Sequence, residues 1–98
     1  MLYKIEIHPQ VYEDIDAAVT YYNSQITDLG FDFYRSFLDS YGRLQTNPKM
    51  FQKVYNSNRR VVMKTFPFSI FFQIYEPNRI VIKAVFHHSR NPTGLKTR

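Results

Sequence analysis

The opening residues of the chain alternate. Tyr3, Ile5 and Ile7 are apolar, while Lys4, Glu6 and His8 are polar. A period of two predicts a strand with one solvated face. From Pro9 the period lengthens, and Val11, Ile15, Ala18, Val19 and Tyr22 form one apolar stripe at helical spacing. Pro9 suits a first helical turn, where its missing N–H costs nothing. Glu13, Asp14 and Asp16 are expected to favour the positive end of the helix dipole. Asn23-Ser24 is expected to close this helix. After a short connection, a second helix is predicted from about Leu29 to Thr46. Phe33, Phe37, Tyr41 and Leu44 make its stripe, and Tyr34 and Leu38 widen it. Asn47-Pro48 ends it, because the residue before proline avoids the α region.

The second half returns to a period of two. Residues 50–55 predict a short edge strand and Asn56-Ser57-Asn58 a turn. Residues 59–65 alternate Arg60, Val62 and Lys64 against Val61, Met63 and Thr65. Pro67 marks a corner, because it cannot donate to a ladder. Residues 69–75 set Ile70, Phe72 and Ile74 on one face and Ser69, Phe71, Gln73 and Tyr75 on the other. Glu76-Pro77-Asn78-Arg79 is the next turn. Residues 80–86 are apolar except for Lys83. Such a run predicts a central strand buried on both faces. It ends in His87, His88 and Arg90, before Asn91-Pro92. The order is β-α-α followed by three to four mainly antiparallel strands. That predicts an α+β fold of two layers, an αα-hairpin laid on a sheet. The whole chain, 1–98, reads as one domain, with a mobile tail from about Thr93.

Composition narrows the function classes. The chain has no Cys, which excludes disulfides, thiolate metal sites and cysteine nucleophiles. Three His and few acids in the basic half give no metal-ligand cluster, so no metal or cofactor is expected. No apolar run reaches membrane-spanning length, so the expectation is a soluble cytoplasmic protein with no membrane partner. The acidic outer face of the helices argues against a membrane-surface role as well. Eight Tyr and nine Phe are read first as core packing. The net charge of +5 conceals a division: residues 1–48 carry −4 and residues 49–98 carry +9. A basic sheet side beneath an acidic helix side suits a polyanion or an acidic protein partner.

Several segments, in order along nearly the whole chain, resemble the RelE/ParE superfamily of bacterial type II toxin–antitoxin toxins. They are the first strand with Pro9 and its acidic helix, Asp28-Leu-Gly-Phe-Asp-Phe-Tyr-Arg-Ser-Phe-Leu, and the Asn47-Pro48 stop. They continue with Arg60-Val-Val-Met-Lys-Thr-Phe-Pro-Phe-Ser-Ile-Phe-Phe and Val85-Phe-His-His-Ser-Arg-Asn-Pro. The resemblance implies a cytoplasmic growth inhibitor that stabilises plasmids and is neutralised by an acidic antitoxin on the basic sheet side and its rims. It allows a homodimer or a toxin–antitoxin hetero-oligomer. Two modes of action are known among such proteins. ParE-like members poison DNA gyrase by contact. RelE-like members cleave mRNA on the ribosome without a metal, using basic residues on the sheet.

The residues divide between these modes. Ser69 stands where RelE-like nucleases carry a phosphate-binding Arg. Arg90-Asn91-Pro92 matches the Arg-Asp-Pro ending of ParE-like sequences, with Asn for Asp. The cadence is closer to ParE, so contact inhibition of a target such as gyrase is the leading expectation. If the protein is instead an endoribonuclease, His88 and Arg90 are the candidate catalytic residues. Arg60, Lys64, Lys83 and His87 are the candidates for binding target or RNA. By strand parity, His88 shares a face with Arg90, and His87 lies with Val85 and Lys83. One of the two imidazoles is then expected to pack or cap. A third reading is a retired toxin that only binds its partner.

Overall fold

The computed structural model describes residues 2–98, apart from the side chains of Lys96 and Thr97. Strand β1 (Lys4–Ile7) leads into helices α1 (Pro9–Gln25) and α2 (Leu29–Thr46). A 3-10 turn (Pro48–Met50) precedes β2 (Lys53–Tyr55), β3 (Asn58–Val62), β4 (Phe68–Tyr75) and β5 (Arg79–His87). A 3-10 segment, Pro92–Thr97, completes the chain. The strands form one sheet in the order β1-β5-β4-β3-β2. β5 pairs with β1 in parallel and with β4 antiparallel, and the remaining pairs are antiparallel. The fold is the expected two-layer α+β arrangement, with five strands in the sheet.

Burial follows the alternation. Ile70 and Phe72 of β4, Ile80 and Ile82 of β5 and Val61 of β3 are fully buried beneath the helices. They meet Val11, Ile15 and Ala18 of α1 and Phe33, Phe37 and Leu44 of α2. Phe33 joins Tyr22, Phe66 and Phe68 in an aromatic cluster with centroids 4.9–6.2 Å apart. Tyr34 and Leu38, expected to widen the α2 stripe, are 43% and 46% exposed. They lie beyond the arc that reaches the sheet.

A second, smaller cluster lies on the opposite face: Phe71, Ala84, Phe86 and Leu95, with Tyr55 against them. It exists because of a bulge. Phe72 pairs with Ile82, but Phe71 pairs with Ala84, so Lys83 is an extra residue on β5. Beyond the bulge, Ala84 and Phe86 turn to the open face, and Val85 takes the helix side.

The acids of α1 do something other than serve its dipole. No acid lies in its first turn, and the dipole's influence falls off within a turn. His8 caps the helix instead, its Nδ1 accepting from Gln10 N at 3.2 Å. Asp14 points at β5, where Oδ2 accepts the Val85 N–H at 3.0 Å.

The segment from Thr93, read from sequence as a mobile tail, is seated on the molecule. Leu95 is 5% exposed against Phe86 and Phe71. The Arg98 guanidinium pairs with Asp14, each side chain being 7% exposed. One leucine and one arginine supply this anchor, too few to produce a period in the sequence.

Candidate functional site

β3, β4 and the end of β5 bring together residues far apart in the chain. A cleft of about 180 Å³ opens on the face away from the helices. Val54, Tyr55, Arg60, Ser69, Phe71, Phe86, His87, His88, Arg90 and Pro92 line it. Its floor is aromatic, and cationic and imidazole groups stand at its walls.

Each polar group has a local reason for its position. Arg60 pairs with Phe71 across the β3–β4 ladder and remains exposed, its backbone N–H donating to Gln52 O. His88 follows the last residue of β5, and its N–H donates to Pro67 O at 2.8 Å. Its ring Nε2 lies 3.0 Å from Ser69 Oγ. Ser69 is 1% exposed, so this contact satisfies a hydroxyl that burial would otherwise leave unpaired. Arg90 lies 3.9 Å from the Phe86 ring centroid. Its backbone N–H donates to His87 O, which closes the turn that aims the guanidinium across the ring.

His87 is held differently. Its Nδ1 accepts the Ser89 N–H at 3.0 Å and lies 2.8 Å from Ser89 Oγ. Its ring meets Phe68 edge-on at 5.2 Å. It therefore caps the turn after β5 and packs toward the helix side.

The structure thus gathers Arg60, His88 and Arg90 at one cleft, with His87 at its rim. Lys64 is not among them. β3 ends at Val62, so parity no longer governs Lys64. Its ammonium lies 3.8 Å from Asp39 of α2, and its carbonyl accepts from Ser36 Oγ at 2.6 Å. Lys83 is the bulge residue, and its carbonyl accepts from Arg98 Nη1. Ser69 and Tyr55 also line the cleft. The parity of Ser69 with Phe71 is the sequence signal that places the serine on this face.

A family model described as the ParE toxin of the type II toxin–antitoxin system parDE matches residues 5–92. The chain belongs to this ParE toxin family. A solved structure of the chromosomal ParDE toxin–antitoxin system from P. aeruginosa is similar in fold, with a TM-score of 0.75. The match covers 88% of this chain and 96% of that chain, at 16% identity. No protein of curated function matches the sequence. Among the described residues no group of three or more His, Cys, Asp or Glu is placed to hold a metal. Among the described residues no helix is long and apolar enough to cross a membrane.

Proposed function

We propose that this ParE-family chain is a cytoplasmic growth inhibitor, neutralised by an acidic antitoxin, that stops a target such as DNA gyrase by protein–protein contact. On this reading the toxin–antitoxin pair serves plasmid stabilisation. The observation that carries contact over catalysis is Ser69. A phosphoryl-transfer site needs a cation on the scissile phosphate. Here the equivalent position holds a buried hydroxyl tied to His88. Arg60, Arg90 and the aromatic floor then act as a recognition surface, a composition typical of energetic centres in protein interfaces.

The test is gyrase-driven supercoiling with the purified chain. Supercoiling should stop near stoichiometric toxin, and full supercoiling at large molar excess would refute the gyrase target. Adding the cognate antitoxin should restore it.

A second reading rests on the cleft's membership. Arg60, His88 and Arg90 around one opening are the residue types that metal-free RNA cleavage uses. Primer extension on mRNA from expressing cells distinguishes the two. New 5′ ends inside codons, lost in His88→Ala and Arg90→Ala, would support cleavage and displace the contact reading.

A further inference from the structure

β5 is longer than its parallel neighbour. β1 covers Arg79 to Ile82, and the His8 N–H reaches only as far as Ile82 O. The rest of that edge faces α1, and among the described residues no strand lies beside it. An uncovered edge offers N–H and C=O groups to any extended chain. Here two side chains occupy them. Asp14 accepts the Val85 N–H at 3.0 Å, and Arg98 Nη1 donates to Lys83 O at 3.2 Å. Arg98 also bonds both carboxylate oxygens of Asp14, with Nη2 to Oδ1 at 3.0 Å. Its guanidinium lies 4.9 Å from the Phe86 ring centroid. An acceptor and a donor, locked to each other, stand where a sixth strand would place its own.

This ion pair differs from the others among the described residues. Lys49–Glu76, Lys64–Asp39 and Arg79–Glu6 lie between side chains 47–69% exposed, whereas Asp14 and Arg98 are 7% exposed. A guanidinium held by a carboxylate fork and an aromatic ring is a built arginine seat. The family match ends at residue 92, before the tail that carries Arg98.

Beside the seat runs a groove of about 620 Å³ between α1 and the end of β5, far larger than one side chain needs. Ala17 and Ala18 floor it, Tyr21, Tyr22 and Phe68 wall it, and Glu13 adds a second carboxylate near Asp14. Its volume falls within the range of peptide and ligand sites.

The geometry points to this groove as a docking site for an extended protein segment bearing an arginine, its seat at Asp14 and Phe86 filled by Arg98 until such a segment displaces the tail. The segment lies along the groove, while Asp14 keeps the Val85 N–H. Its arginine takes the position of Arg98, where the carboxylates supply charge complementarity. Displacing the tail lifts Leu95 from Phe71 and Phe86, so docking in the groove uncovers the floor of the cleft beyond. The inference stands whether the cleft grips gyrase or RNA.

The test uses the full chain and the peptide Pro-Thr-Gly-Leu-Lys-Thr-Arg, labelled at its N-terminus, with binding read by fluorescence anisotropy. Wild-type protein should bind weakly, because its own tail competes at an effective concentration of about millimolar. Arg98→Ala should bind at least about tenfold more tightly. The same peptide ending in Ala should lose that gain, and Asp14→Asn in the Arg98→Ala background should abolish it. Equal binding by wild type and Arg98→Ala, or binding indifferent to the peptide's arginine, overturns the proposal, as does no binding by a folded Arg98→Ala chain. Should Arg98→Ala fail to fold, Arg98→Lys is judged by the same criteria, since it keeps the charge but not the fork. A wild-type dimer that Arg98→Ala dissolves would assign the seat to a second copy and also overturn docking of a separate partner.

Discussion

Gly30 and Gly42 lie on the same helix, and the same substitution should move stability in opposite directions at the two positions. A Cβ at Gly30 would stand 2.5 Å from the Val19 carbonyl oxygen and 2.8 Å from Cγ and Oδ1 of Asn23. Close carbon–oxygen contacts are ordinarily about 3.3–3.6 Å, so the overlap with Val19 approaches about 1 Å. The clashing atom is backbone of α1 and cannot rotate away. Asn23 could swing aside only by giving up its 2.8 Å bond from the Gly30 N–H. Forcing α1 and α2 apart costs about 1–3 kcal/mol as overpacking, and the lost hydrogen bond adds about 1 kcal/mol. Alanine's better helix propensity returns up to about 1 kcal/mol. The balance for Gly30→Ala is a loss of about 2 kcal/mol. At Gly42 a Cβ meets nothing within 4 Å, so only propensity acts, and Gly42→Ala should gain about 1 kcal/mol. Urea unfolding measures both. With a slope of about 1–2 kcal/mol per molar, the midpoint should fall by about 1–2 M in one variant and rise by about 0.5–1 M in the other. Shifts in the same direction, or a Gly30→Ala midpoint equal to wild type, would refute the close approach of the helices.

Other predictions are independent of that contact. Ser40 is fully buried on α2 and its Oγ has no hydrogen-bond partner among the described residues, so Ser40→Ala should raise stability by about 1 kcal/mol in the same urea assay. Thr65 is exposed at φ 75°, a left-handed conformation that a β-branched residue resists. Thr65→Asn should therefore gain about 0.5–1 kcal/mol, read as a rise in melting temperature. Burial, with a smaller contribution from Tyr21, pushes the Tyr22 phenol above its usual 10.0. Its contribution to stability is fully present below that value and is lost as pH rises through the raised one. Tyr22→Phe should flatten the alkaline fall in melting temperature.

The sequence made the layers legible because apolar spacing marks every face that touches the core. The α1 stripe of Val11, Ile15 and Ala18 and the β4 alternation of Ile70, Phe72 and Ile74 both face the helix-side core. Pro9, Pro48 and Pro67 marked boundaries for local steric reasons that tertiary context did not override. What failed to show were single-residue tertiary contacts. Asp14 resembles any acidic helix residue until β5 is placed beside it, and its bond to Val85 links positions with no periodic relation. Lys64 lies outside the cleft for the opposite reason. Its alternation with Arg60 and Val62 is real in the sequence, but the ladder stops at Val62, and Asp39 and Ser36 of α2 decide where it lies.

The site depends most on a feature that the sequence conceals, the bulge at Lys83. In a strand apolar on both faces there is no alternation to reveal a shift of one. Counted straight through from Ile80 and Ile82, Ala84, Phe86 and His88 would all face the helices. The extra residue reverses this. Ala84 and Phe86 turn to the open face, and His88 reaches Ser69 from there while His87 falls back against Phe68. The same reversal turns the buried Phe86 ring to the face where Arg90 and Arg98 both rest on it. It also frees the Val85 N–H that Asp14 accepts. One inserted residue in a central strand thus forms the second apolar cluster, orients the cleft's imidazole and leaves the edge that the tail closes. Lys83 is the only polar residue in residues 80–86. A polar residue within an otherwise apolar central strand is therefore a candidate bulge.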